Sequence, residues 1–220
     1  MLPLHSRMTR VALRAIDSYG FCLAGGYAVQ AHGFTDRQSD DVDLFTTMAQ
    51  ARHFPKAVRA VTKALADEGL TSEITRRFEM YARFQVTDPA TGETTHLDLG
   101  TDWRARDPVA LVIGPVLHPD DAVANKVSAL YGRAEFRDFI DVHGALTDGR
   151  YSGDDLLRLG AEHEQGFDPA MFVSALRSVD RFGELAYRVY NLTNEQGAAI
   201  AGRMLAWADE IEARYRDRAG

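Results

Sequence analysis

The sequence predicts an α/β protein of the α+β kind, a mixed β-sheet with its helices followed by a helical C-terminal lobe. Three observations carry this reading. Short strand-like runs alternate with segments of helical period as far as Gly69. Strand-like segments then follow one another from Thr71 to Trp103, interrupted by the turn-rich "DPATGE". From His118 onward the apolar spacing is helical throughout. The composition shift near residues 115–119 divides the chain into domains at 1–118 and 119–220, with no linker-like tract and no internal repeat.

Each element has a local cause. "TRVALRAIDSYG" and "ARHFPKAVRAVTKALADEG" carry helix-spaced apolar residues and close on Gly20 and Gly69, and between them lie the strand-like "FCLAG", the helical "YAVQAH" and the strand-like "DDVDLFT". "TSEITRRF", "MYARFQVTD" and "TTHLDLGTDW" alternate in the manner of antiparallel strands. "HPDDAVANKVSALYG" opens with acids suited to a helix N-terminus, and "FRDFIDVHGALTDG" ends at a glycine. The last three helical segments each start from a capping residue, Ser152, Asp168 and Thr193.

Composition narrows the class. At 220 residues, 45% hydrophobic and 26% charged, the chain has ordinary globular character. The longest apolar run, "VALVIG", is far short of a membrane span, and the N-terminal stretch lacks the apolar core of a secretion signal, so a cytoplasmic protein with no membrane partner is expected. A single cysteine, Cys22, excludes an internal disulfide and fits a buried, inert thiol. A net charge of −7 argues against non-specific coating of nucleic acid and leaves room for a local basic face.

The acids of "SDDVDLF" hold the chemical interest. Residues two apart in a strand point the same way, so Asp41 and Asp43 project together while Val42 and Leu44 enter the core. Two carboxylates on one face suit a hard cation such as Mg²⁺ that keeps open positions for water and phosphate; read alone, a D-x-D also fits a solvated edge strand. Gly25 and Gly26 end a strand and open a helical stretch, where the backbone can approach a phosphate without a Cβ in the way, although a glycine pair by itself is also a plain tight turn. Asp98 interrupts the apolar alternation of "THLDLG" and needs a partner, either the same metal site or a salt bridge. Lys126 is the one lysine after Lys63, placed to reach a triphosphate or to sit solvated on its helix, with Arg133 and Arg137 nearby in sequence. Asp138 and Asp141 lie three apart on one helical face, where either can pair with Arg137.

"GGYAVQAHGFTDRQSDDVDLF" resembles the first motif of the AbiEii nucleotidyltransferase-like toxins, a family that includes the MenT group. There a glycine pair precedes an R-x-S/T-x-D-x-D/E strand, and Arg37, Ser39, Asp41 and Asp43 fill those positions. Lys126 resembles the family's lysine motif, Asp138 and Asp141 its D-x-x-D motif, and Asp98 falls where polymerase-β-like folds supply a third carboxylate. The motifs run from about residue 21 to 146; Tyr27 departs from the serine or threonine common near that place. The resemblance implies a minimal nucleotidyltransferase fold with a mixed sheet plus a helical C-terminal lobe. It also implies the toxin of a type IV toxin–antitoxin system, adding a pyrimidine nucleotide to the 3′ end of tRNA, with an AbiEi-like antitoxin as partner.

On that basis two Mg²⁺ ions, or Mn²⁺ in their place, are expected on Asp41, Asp43 and Asp98, with Asp98 sharing a metal or taking the acceptor proton. Gly25, Gly26, Arg37, Ser39, Lys126, Arg137 and Asp138 are expected at the NTP, and Asp141 beside Lys126. Two other readings stay open. A small-molecule nucleotidyltransferase of the aminoglycoside-modifying kind suits the acidic balance, and a surface strip of Arg76, Arg77, Arg83, Arg104 and Arg106 would favour tRNA over it. A non-catalytic nucleotide-binding protein is the third. An aspartyl-nucleophile phosphatase fits poorly, because Phe45 stands where such enzymes carry threonine or valine.

Overall fold

Period-two burial builds the sheet. The computed structural model describes residues 1–219; Gly220, the end of the expected C-terminal lobe, lies outside the described residues. Helix α1 (Pro3–Ala15) leads into β1 (Cys22–Leu23), α2 (Gly25–Ala31), β2 (Asp41–Thr46) and α3 (Phe54–Asp67). Then β3 (Thr71–Phe78), β4 (Tyr81–Thr87) and β5 (Thr94–Thr101) form an antiparallel meander, and β6 (Val109–Leu111) and β7 (Gly114–Val116) a small hairpin. Among the described residues these make one mixed, seven-stranded sheet in the order β3-β4-β5-β2-β1-β7-β6. β2 lies parallel to β5 and β1 parallel to β7. The α/β fold and its mixed sheet are those expected. The last hairpin went unforeseen beyond its apolar character, since three-residue strands are too short to show a period.

One side of the sheet is apolar: Val42 and Leu44, Ala82, Phe84 and Val86, Leu97 and Leu99 are all fully buried. α1 and α3 pack against each other and against the strands. The other side carries the polar residues of the same strands, and burying the first therefore fixes which residues stand on the second.

The chain divides into two compact units. The first holds Met1–His32 and Gln38–Pro119; the second holds Gly33–Arg37 and the chain from Asp120 onward. The second unit is helical: α4 (Pro119–Gly132), α5 (Phe136–Thr147), α6 (Gly153–His163), α7 (Pro169–Arg177), α8 (Glu184–Val189) and α9 (Asn194–Ala219). Ser152, Asp168 and Thr193 cap α6, α7 and α9 through their side chains, as their positions foretell. Trp207 is core, 2% exposed, with its ring edge-on to Phe172 at 5.3 Å. Gly144 lets the Phe34 carbonyl lie against α5, because a Cβ there would stand 2.0 Å from that oxygen. That contact brings residues 33–37 into the helical unit.

Tyr27 belongs to the structure of the first unit. It is 1% exposed, its hydroxyl lies 2.7 Å from His5 Nδ1, and it donates to the Ser39 carbonyl at 3.2 Å. His5 Nε2 in turn lies 2.6 Å from the Thr95 hydroxyl, so the stretch entering β2 is tied to α1, α2 and β5. Burial pushes the His5 imidazole below its ordinary value and keeps it neutral. Tyr27→Phe leaves a buried carbonyl and a buried ring nitrogen short of a partner, so we expect a loss of about 1–3 kcal/mol in urea unfolding; an unchanged midpoint would show that the hydroxyl holds nothing.

Candidate active site

The pairing of β2 with β5 gathers the acids. Parallel register sets Asp43 opposite Asp98 and Asp41 opposite His96. Alternation then points Asp41, Asp43 and Asp98 out of the same side of the sheet, where one oxygen from each lies within 4.8 Å of the others. Asp98, expected to need a partner, is 4% exposed.

Gly25 closes on this row. The Ala24 N–H donates to the Asp43 carbonyl at 2.8 Å, continuing the β1–β2 pairing, and the chain then turns into α2. Gly25 has φ +59°, and a Cβ on it would sit 1.8 Å from Asp43 Oδ2. Both its backbone conformation and its contact with the carboxylate therefore demand glycine. Gly26 is buried in the first turn of α2. Ser39, 5% exposed, directs its hydroxyl to Asp41 Oδ1 at 3.3 Å and thereby orients that carboxylate.

Arg83 was not foreseen here. β4 pairs with β5 so that Arg83 stands opposite Asp98, and its Nε and Nη2 donate to the two Asp98 oxygens at 2.8 and 2.5 Å. Nη2 also lies 3.5 Å from Asp41 Oδ2. Hydrogen bonding to Asp98, against the opposing effect of burial, raises the Arg83 pKa and holds the guanidinium charged. The Tyr81 phenol beside it is pushed up by burial and then by the Asp98 charge and hydrogen bond, so it stays neutral. The five-arginine strip is accordingly broken: Arg83 turns to the carboxylates, and Arg104 donates to the Gly20 carbonyl at 3.2 Å and contacts Cys22 Sγ at 3.4 Å. Arg76 and Arg77 remain exposed on β3.

The second unit holds another cluster. Arg37 donates through Nε and Nη2 to both oxygens of Asp141, at 3.0 and 2.8 Å, and Lys126 Nζ lies 2.9 Å from Asp141 Oδ2. All three residues are buried. Burial pushes the Asp141 carboxyl up, but the Lys126 charge and the Arg37 hydrogen bonds outweigh it and leave the pKa below the ordinary value. Asp138, expected at the nucleotide, is fully buried, takes both guanidinium bonds of Arg133 at 2.9 and 2.8 Å, and caps the start of α5. Arg137 pairs with Glu135 at 2.7 Å.

The carboxylate row fits a hard divalent cation. Its donors are all oxygens, one from each acid lies within 4.8 Å of the others, and Arg83 contacts two of the three acids. A mixed sheet presenting such a row beside a glycine turn fits a nucleotidyltransferase, and the family comparison gives that class. Residues 8–213 match the family described as nucleotidyl transferase AbiEii toxin, type IV TA system, and the chain belongs to that family. The non-catalytic reading is thereby set aside. No curated protein matches the chain in sequence. Its fold is similar to that of JHP933 from Helicobacter pylori, with 17% identity and a TM-score of 0.59 over 98% of this chain and 94% of that one. It is similar also to MenT4, a nucleotidyltransferase toxin from Mycobacterium tuberculosis, with 16% identity and a TM-score of 0.59 over 94% of this chain and 83% of that one. Among the described residues no helix is long and apolar enough to cross a membrane.

Arg83 competes with a cation for Asp98. Arg83→Gln removes a positive charge from the row, so Mn²⁺ affinity, read by electron paramagnetic resonance titration, should rise roughly threefold to tenfold. Weaker or equal Mn²⁺ binding would mean that Arg83 organises the acids for the metal instead of opposing it.

Proposed function

We propose that the protein transfers a nucleoside monophosphate, a pyrimidine one, from an NTP to the 3′ end of tRNA in a Mg²⁺-dependent reaction, acting in the cytoplasm as the toxin of a type IV system held in check by an AbiEi-like antitoxin. The row of Asp41, Asp43 and Asp98 against Gly25 is the observation that carries the transfer chemistry. The tRNA acceptor and the pyrimidine donor rest on the family resemblance of the R-x-S-x-D-x-D segment.

Mg²⁺ on these carboxylates supplies charge stabilisation for the attacking and leaving oxygens. Asp98 takes the proton of the acceptor 3′-hydroxyl as its oxygen bonds to the α-phosphorus, and the bond to the β-phosphate oxygen breaks to release pyrophosphate. Arg83, held to both Asp98 oxygens in the free protein, must release that carboxylate as cation and acceptor arrive. The Gly25–Gly26 turn receives the β- and γ-phosphates, and Ser39 holds Asp41 in place for them. The family resemblance assigns Lys126, Arg37 and Arg137 of the second unit to the nucleotide; there Asp141 holds Lys126 and Arg37, and Asp138 caps the start of α5.

A small-molecule acceptor is the second reading. The net charge of −7 and the diversion of Arg83 and Arg104 from the surface favour a cationic acceptor over RNA. Incubation with total tRNA or with an aminoglycoside, Mg²⁺ and each α-labelled NTP in turn separates the two. We expect label on tRNA from a pyrimidine NTP and a loss of roughly 10²–10³-fold in Asp41→Ala with its melting temperature preserved. Full activity in that variant would remove the carboxylates from the mechanism, and label on an aminoglycoside but not on tRNA would select the second reading.

A further inference from the structure

The carboxylate side of the sheet continues into a group of aromatic rings that the transfer chemistry leaves unused. Phe45 follows Asp43 by two residues in β2, Gly100 follows Asp98 by two in β5, and Tyr81 precedes Arg83 by two in β4, so all project on the same side. Phe45 and Tyr81 are both paired with Gly100, and Phe78 of the edge strand is paired with Tyr81. A Cβ on Gly100 would lie 3.2 Å from two atoms of the Phe45 ring and 3.8 Å from Tyr81, so the rings close over a bare backbone floor. Phe78 stands beside Tyr81 at 6.1 Å between ring centroids, tilted 36°, and is 67% exposed.

A phenylalanine this exposed on an edge strand invites aggregation unless something covers it. Its surroundings specify what. Arg76 is exposed and pairs with Arg83, which puts a cationic position on the same side of the edge strand, two residues from Phe78. Flat aromatic faces beside arginine are the elements that hold unpaired nucleobases and their phosphates.

The position on the strands separates acceptor from donor. β1 runs antiparallel to β2, from Cys22 opposite Phe45 toward Ala24 beside Asp43, so the Gly25 turn closes the Asp41 end of the row while the rings stand at the Phe45 end. In-line displacement places the attacking hydroxyl opposite the departing pyrophosphate. With the β- and γ-phosphates at the Gly25 turn, a placement that rests on the proposed function, the rings lie on the acceptor's side. Two residues of strand span about 6.6 Å, which is within the reach of a nucleotide from its 3′-hydroxyl to its own base.

We propose that Phe45, Phe78 and Tyr81 form a stacking shelf for the unpaired terminal base of a single-stranded nucleic-acid acceptor. The shelf binds by face contact and so tolerates any base, and it makes a 3′ nucleotide a better acceptor than a small cationic molecule with no ring to stack.

The test is fluorescence anisotropy with a short 5′-fluorescein single-stranded RNA, intact or with an abasic 3′-terminal nucleotide, in the absence of NTP. We expect the wild-type protein to bind the intact strand about tenfold more tightly than the abasic one. Phe78→Ala, a change at an exposed side chain, should erase that preference, and Phe78→Trp should keep it. Equal binding of the two strands by the wild type, or a preference that survives in Phe78→Ala, overturns the shelf. A protein that labels no RNA yet prefers the intact strand loses the transfer reading and keeps the shelf; one that labels tRNA without any base preference does the reverse.

Discussion

The parallel pairing of β2 on β5 is the constraint on which the site depends. It sets Asp43 level with Asp98, and the apolar partners of these residues decide the register. Val42, Leu44, Leu97 and Leu99 are fully buried on the opposite side, so a slip of β2 by one residue would turn Val42 and Leu44 out and Asp41 and Asp43 in. The hydrophobic core thus aims the carboxylates. Gly25 adds a second lock, since its approach to Asp43 is possible only without a side chain.

Three acids within reach of one cation repel one another, and folding must hold them there. The protein does so with strands, whose spacing is fixed by backbone hydrogen bonds, and with partners for individual oxygens: Arg83 on Asp98 and Ser39 on Asp41. The same economy governs Asp141, which stays charged in a buried place because Arg37 and Lys126 both face it. Each cluster joins oppositely charged groups far apart in sequence, so each couples local chemistry to the fold of its own unit.

Much of the fold was legible because its signals are local. Period-two alternation gave Asp41 and Asp43 a common side, the charge of Asp98 stood out in an apolar strand, and Ser152, Asp168 and Thr193 announced their helices. What stayed hidden depends on contacts that sequence spacing does not encode. Arg83 looked like part of a basic surface because nothing local reveals that β4 sets it opposite Asp98. Arg37 is 104 residues from Asp141, so only the motif resemblance drew attention to it, without naming its partner. Gly144 looks like an ordinary helix residue until the Phe34 carbonyl is seen against it. Tyr27 read as a departure at a phosphate contact, whereas its ring and hydroxyl secure the entry to β2.

The claim that the carboxylate row is the metal-bearing centre is tested most directly by anomalous diffraction from crystals grown with Mn²⁺ and a non-hydrolysable NTP analogue. The account predicts a manganese peak bridged by Asp41 and Asp43, with the triphosphate oxygens of the analogue on the same ion. A peak elsewhere, or bound nucleotide with no metal at these two residues, would contradict it.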